Sequence, residues 1–286
     1  MEITNRTGLP QPIINALLND LYDPGESDIT VTQLIDSPRI RLLTRKHYDE
    51  LKEDAIDRLW SLLGQAVHQI LERADETGVV EERLYIDLRG WKVGGQFDRI
   101  ALVDNALQDY KVTSAWSVIN GPKPEWEKQL NCLAVLAREA GHEIDKLEVF
   151  ALYRDWSRNK MMQSENYPRH MGELINIPMW DHWDGLAYMK QRIEIHKAAE
   201  YDEMPDCSHA ERWYRGEKWA VMKEGRKTAV KLHDTKEEAA IHAAELLDQK
   251  DNKKKYYVEK RPGTNVRCQD YCPVADYCDQ WQELKP

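Results

Sequence analysis

The sequence predicts an α/β fold: a mixed sheet flanked by helices, with a helical N-terminal region before it and a small ββαβ unit and cysteine-rich tail after it. Three observations carry that expectation. Apolar residues recur at helical spacing up to about residue 74, alternate between residues 83 and 112, and return to helical spacing from residue 125. Residues 201–286 then repeat the change of period on a smaller scale, with two short alternating runs, a helical run and a third alternating run. Three of the five cysteines crowd the last 19 residues.

The elements follow in order. Residues 1–26 read as a loose arm with one short helix near Ile13–Leu21 and a turn at Asp23-Pro24-Gly25. Thr32 is expected to cap a helix running toward Asp36, and Pro38 to break or restart it. From Tyr48 to Ala74 the apolar positions Leu51, Ala55, Leu59, Leu62, Leu63, Ala66, Val67, Ile70 and Leu71 keep a helical period, in one long helix or two consecutive ones. Arg83–Leu88, Trp91–Leu102 and Ala106–Val112 read as three antiparallel strands joined by tight turns at Gly90 and at Asp104-Asn105. Glu125–Ala140 is a helix stopped by Gly141. Leu147–Tyr153 is a fourth strand, and Trp183–Glu200 a further helix. In the last block, Trp219–Met222 and Thr228–Leu232 form a hairpin. Thr235 caps a helix over Glu237–Gln249 with Glu238 as its partner, and Lys255–Lys260 is a strand. The expected organisation is a helical region over 1–58, a core over 59–200 and a C-terminal region over 201–286.

Composition bounds the class. The 286 residues are 42% hydrophobic and 31% charged, as in soluble globular proteins. No apolar run approaches the roughly 20 residues of a membrane span. The opening Met1-Glu2-Ile3-Thr4-Asn5-Arg6 lacks a basic segment followed by an apolar one, so a signal peptide is not expected. The expectation is a cytoplasmic protein without a membrane partner. The net charge of −10 argues weakly against nucleic-acid binding, although carboxylates gathered for a metal also add negative charge. Basic clusters at Arg39–Lys46 and Lys253–Lys255 fit an ordinary solvated face.

Asp98 lies on the second expected strand, Asp109 and Lys111 on the third. A strand has a period of two, so Asp109 and Lys111 share a face, and the short turn brings Asp98 beside them. Two carboxylates and an ammonium then converge. Such a set suits a hard divalent cation such as Mg²⁺ or Mn²⁺, which can activate water against a phosphodiester while the lysine orients that water or stabilises phosphate charge. A lone Asp-x-Lys is a common accident. Its context here is Gly95-Gln96-Phe97-Asp98, a short turn, and Asp109-Tyr110-Lys111 on the paired strand.

This pattern resembles the PD-(D/E)XK nuclease superfamily, and specifically its RecB-like branch of CRISPR-associated and bacteriophage exonucleases. Gly64-Gln65-Ala66-Val67-His68 is similar to that branch's helical G-x-x-x-H element, whose histidine binds metal. Glu82 stands before the first strand, where the family carries an acidic residue. Gln129 matches the first half of a helical Q-x-x-x-Y element, but Leu133 occupies the tyrosine position. The resemblance covers about residues 60–153. It implies a restriction-endonuclease-like core and a Mg²⁺- or Mn²⁺-dependent deoxyribonuclease acting on DNA ends or single strands in recombination, repair or phage DNA processing. A recombination protein is an expected partner, and the host cytoplasm the expected location for a phage-encoded member. It also implies catalytic roles for Asp98, Asp109, Lys111 and Gln129, with metal held by His68, Asp98, Asp109, the Tyr110 carbonyl and, more weakly, Glu82. A non-catalytic DNA- or protein-binding module on the same fold is the competing expectation.

Cys268-x₃-Cys272-x₅-Cys278 places three thiols in a loop-rich tail, and Cys207 is the natural fourth. Four thiolates suit Zn²⁺ or an iron–sulfur cluster, and the spacing lacks the paired C-x₂-C knuckles usual for zinc. Relatives in the RecB-like branch hold a [4Fe–4S] cluster with one cysteine and a C-terminal trio, so the resemblance implies that cofactor. In them the lone cysteine precedes the nuclease core, whereas Cys207 follows it. Cys132, between Leu130 and Leu133 on a helix, is expected in the core. Trp91, Trp116 and Trp126 lie near the candidate site; such residues are more often core, and the alternative is that they stack bases.

Overall fold

A computed structural model of the chain describes every residue except 20–22, 120, 202–203, 249–254 and 286. The expected helix ends at Leu21 and Gln249, and the basic residues Lys253 and Lys254, lie outside the described residues. The chain divides into two compact units, Met1–Pro205 and Asp206–Pro286. The fold is mixed α/β, with several sheets flanked by helices. Among the described residues no helix is long and apolar enough to cross a membrane.

In chain order the first unit contains β1 (Ile29–Thr30), α1 (Val31–Ile35), α2 (Pro38–Lys46), α3 (Leu59–Ala74), β2 (Gly78–Val80), β3 (Arg83–Leu88), β4 (Trp91–Gln96), β5 (Arg99–Ala101), β6 (Ala106–Thr113), α4 (Pro124–Glu139), β7 (Lys146–Tyr153), β8 (Gly172–Ile177) and α5 (His182–Tyr201). A five-stranded sheet runs in the order β8-β7-β6-β5-β2, and a three-stranded sheet in the order β1-β4-β3. Only β6 and β7 pair in parallel in the larger sheet, and α4 is the crossover between them, as a parallel pair requires. Leu130, Leu133, Val135 and Leu136 of α4 are buried in the main core with Phe97, Ile100, Leu107, Leu147 and Val149.

Four expectations change. The strand expected over Trp91–Leu102 is two strands in two sheets: β4 pairs with β3, β5 pairs with β6, and the chain leaves the ladder at Phe97-Asp98. The Asp98 carboxylate accepts the Tyr110 backbone N–H at 2.5 Å, so a side chain takes a bond the strand would otherwise make. The helix expected from Tyr48 begins only at Leu59. Before it, Lys52–Asp54 pairs in parallel with Glu2–Thr4. The Asp54 carboxylate accepts from Thr4 Oγ1 (2.7 Å), from the Arg6 N–H (2.9 Å) and from the Ile56 N–H (3.3 Å), capping a 3₁₀ turn at Ala55–Arg58. The cap of α1 is Thr30 and not Thr32, in a reciprocal capping box with Gln33. The edge strand β8 was not anticipated.

The second unit holds β9 (Lys218–Lys223), β10 (Lys231–His233), α6 (Lys236–Asp248) and β11 (Tyr256–Arg261), a ββαβ unit whose strands lie in the order β10-β9-β11. Val221, Ala239 and Ala243 form its core with Trp219, Leu246, Tyr256 and Val258. The Glu238 N–H donates to Thr235 Oγ1 at 3.2 Å, the expected cap. Tyr214–Arg215 pairs with Thr264–Asn265, Cys268 lies on the short helix Val266–Asp270, and Cys272 and Cys278 lie between short helical turns.

Candidate metal centre

On β6, Asp109 and Lys111 are two residues apart and face the same way, and Lys111 Nζ lies 2.9 and 2.7 Å from the two Asp109 carboxylate oxygens. The hydrogen bond goes to Oδ1. Oδ2, though close, receives no well-directed donor and is buried. Burial pushes the Asp109 carboxyl up; the Lys111 charge pulls it back and the Asp98 charge adds to the rise. Burial alone would lower Lys111, but the charges of Asp109 and Asp98 outweigh it and raise the ammonium's affinity for its proton.

Asp98 reaches this face because the strand breaks beside it. Its Oδ2 holds the Tyr110 N–H, and its Oδ1 lies 3.4 Å from His68 Nδ1. His68 projects from α3, which packs over β6. Its Nε2–H donates to the Tyr110 carbonyl at 2.9 Å, and Nδ1 also lies 3.7 Å from Glu81 Oε1. Nδ1 thus faces both carboxylates. Hydrogen bonds to Asp98 and then Glu81 raise the ring's pKa to about 10 against the pull of burial.

Ligand atoms of His68, Glu81 and Asp98 all lie within 4.8 Å of one another, the separation a single ion spans. The acidic member is Glu81, where the sequence pointed to Glu82. Glu82 pairs with His142 at 3.1 Å. Glu81 has a positive φ of 49°, unusual for a side-chain-bearing residue, and this turns it toward His68. Its carboxylate also accepts from Gln96 Nε2 at 2.6 Å, and its backbone N–H donates to the Asp98 carbonyl at 3.1 Å. Sequence reasoning had no signal for this choice, since either neighbour preceded the strand.

Gln129 is half-buried on α4, and no hydrogen bond or ion pair joins it to the acidic group. Leu133, at the expected tyrosine position, is core: a Cβ added to Gly95 would stand 2.6 Å from Leu133 Cδ2 and 3.0 Å from Val31 Cγ2. The glycine before Asp98 is what lets α4 and α1 press onto β4 there. Trp126 is likewise buried, Trp91 lies beneath Arg41 and Lys197, and Trp116 is exposed.

In the second unit Cys207 and Cys278 are buried, Cys268 and Cys272 half-buried, and none forms a disulfide. Gln280, two residues past Cys278, accepts the Cys207 N–H at 2.9 Å and donates to its carbonyl at 3.0 Å. Arg212 donates to the same carbonyl at 3.0 Å and to Asn265 at 2.8 Å, just before Cys268. Residues 73 apart in sequence are thereby tied together. Burial raises the Cys268 thiol and the nearby thiols of Cys207 and Cys278 raise it further, while Arg212 and Arg267 oppose. No three of the thiols converge within 4.8 Å among the described residues. Cys132 is fully buried on α4, and burial pushes its thiol up to about 12.

Residues 209–270 match a family model described as an uncharacterized protein conserved in bacteria (DUF2188). That span holds the ββαβ unit. No curated protein matches the chain in sequence. Among solved structures, the crystal structure of SSO0001 superposes with a TM-score of 0.43 at 20% identity, covering 65% of this chain and 83% of that one.

Proposed function

We propose that the chain is a metal-dependent nuclease of the PD-(D/E)XK type on a restriction-endonuclease-like core, acting as an exonuclease at DNA ends in recombination, repair or phage DNA processing. The observation that carries this reading is the gathering of His68, Glu81 and Asp98 ligand atoms, with the Tyr110 carbonyl against His68 and, on the same strand, Lys111 held by Asp109, one buried oxygen of which lacks a directed donor. Oxygen donors with one imidazole suit Mg²⁺ or Mn²⁺. Such an ion, when bound, would polarise the phosphodiester and acidify a coordinated water. The chain's own groups then have distinct parts. His68, Glu81, Asp98 and Asp109 hold the ion. The Lys111 ammonium, fixed by Asp109, orients the attacking water and offsets charge on the phosphate. Gln129 keeps a substrate-positioning part in this reading. Linear DNA incubated with Mn²⁺ or Mg²⁺ is expected to shorten, and Asp109→Ala and Lys111→Ala to slow this by about 100-fold or more. Unchanged rates in those variants would remove the assignment.

The four C-terminal thiols belong to the same reading as ligands of a [4Fe–4S] cluster. Four thiolates without paired C-x₂-C knuckles suit such a cluster, with Arg212 and Arg267 offsetting thiolate charge. A brown preparation containing iron is expected, and colourless protein with stoichiometric zinc would exclude the cluster.

The competing reading is a non-catalytic DNA- or protein-binding module. The placement of His68 Nδ1 3.4 Å from Asp98 and 3.7 Å from Glu81 favours it, because a ring that serves there as their counter-ion is not a ligand. DNA binding with no cleavage in either metal would establish it.

A further inference from the structure

The geometry points to Trp60 and Arg154 as a stacking subsite that holds an unpaired DNA strand on its way to the acidic cluster. This rests on the reading of that cluster as the cleavage site, and adds the form of the substrate and a route for it. Trp60, Gly64 and His68 stand four residues apart on α3, so they form one stripe along the helix. His68 closes one end against Asp98. Trp60 lies two turns away, about 12 Å along the axis, or roughly three to four nucleotides of stacked strand at 3.4 Å each. Between them Gly64 leaves the stripe bare, with no atom within 4 Å of where a Cβ would be.

Trp60 is 55% exposed, and the Arg154 guanidinium lies 4.6 Å from its ring centroid. Arg154 is anchored by its backbone N–H, which donates to the Thr113 carbonyl at 3.0 Å. Asp109, Lys111 and Thr113 alternate along β6, so Arg154 stands at the end of the strand that carries the candidate catalytic pair. Lys123 is close enough to both for their charges to act on it: burial lowers its proton affinity, Glu125 opposes, and Arg154 and Lys111 add to the lowering. Among the described residues no carboxylate lies within ion-pair distance of Arg154 or Lys123, in a chain of net charge −10. Trp116, also 55% exposed, follows β6 and carries Lys160 at 5.1 Å.

A cation over an indole is common, about one per 70–80 residues, and an isolated pair would mean little. Here the pair ends a stripe that begins at the acidic cluster, and among the described residues its guanidinium has no carboxylate within ion-pair distance. Phosphates supply the missing anions. Indole faces accept bases of any sequence by stacking, which requires base faces that a duplex hides.

The test is fluorescence anisotropy of labelled oligo-dT and of a blunt duplex with the full chain in EDTA, where metal-dependent cleavage is silent. Trp60→Ala and Arg154→Ala are each expected to weaken oligo-dT binding roughly tenfold. Trp60→Phe should retain most of it, and duplex binding should change little. The inference is overturned if both alanine variants, folded by circular dichroism, bind oligo-dT as tightly as the unaltered protein. It is equally overturned if duplex binding falls as far as single-strand binding. A chain that binds oligo-dT through Trp60 yet cleaves nothing in Mn²⁺ upholds the subsite and removes only the nuclease reading.

Discussion

Asp98 illustrates how a single side chain can set the geometry of a site. Its carboxylate takes the Tyr110 N–H, the ladder breaks, and the other carboxylate oxygen is left facing His68. Period-two reasoning put Asp109 and Lys111 on one face and Asp98 beside them, and that much was legible from spacing. The choice between Glu81 and Glu82 was not, because it depends on a φ of 49° at Glu81. Two substitutions separate them. Glu81→Ala should weaken Mn²⁺ binding about 10- to 100-fold, while Glu82→Ala, which removes only the contact to His142, should leave it within a factor of two or so on titration calorimetry. Equal losses would return the ligand role to Glu82. Leu133 likewise departs from the family pattern for a packing reason. Leu133→Tyr should overpack against Gly95 and cost about 1–3 kcal/mol in chemical denaturation, without raising activity. A variant as stable as the parent would show that the Gly95 contact yields easily.

Among the elements, α5 clamps α1 and α2 through buried polar groups that no apolar period reveals. His196 is fully buried, its Nε2–H donates to the Leu34 carbonyl at 3.1 Å, and its Nδ1 accepts from Arg41 Nε at 3.3 Å. Arg192 donates to the Leu34 carbonyl at 2.9 Å and to the Asp36 carbonyl, and Arg41 pairs with Glu200 at 2.5 Å. Burial first, then Arg192 and Arg41, lower the His196 pKa to about 4, while the Leu34 and Asp36 carbonyls oppose. The unfolded chain therefore binds the proton first as pH falls. Stability from this group is complete above about pH 6.5 and is lost down to about pH 4, by an amount on the order of 3 kcal/mol. Thermal melts across that window should steepen in the parent and flatten in His196→Gln; parallel pH profiles would contradict the neutral assignment. The length of α5 was legible as Trp183–Glu200, whereas this clamp leaves no sign in the apolar spacing. The edge strand β8 escaped notice because an exposed edge needs only weak alternation.

At the scale of the whole molecule, net charge misleads where local charge informs. The −10 argued against nucleic acid, while Lys111, Lys123 and Arg154 cluster at one end of β6. The late position of Cys207 also acquires a physical account. The span matching DUF2188 runs from residue 209 to 270, so its ββαβ unit is threaded between Cys207 and the last two cysteines, and Gln280 and Arg212 bring the ends back together. Cys207→Ser and Cys278→Ser should each lose iron and visible absorption and lower the melting temperature, because ligand binding contributes folding energy. Unchanged melting in both would mean the thiols hold nothing. Metal-dependent cleavage at Lys111 is tested by following a 5′-labelled single strand with Mn²⁺ in the parent and in Lys111→Ala. Rapid shortening by the parent is expected, abolished by EDTA and slowed at least about 100-fold by the substitution. An intact strand with the parent in both Mn²⁺ and Mg²⁺, or equal rates in the two proteins, would contradict it.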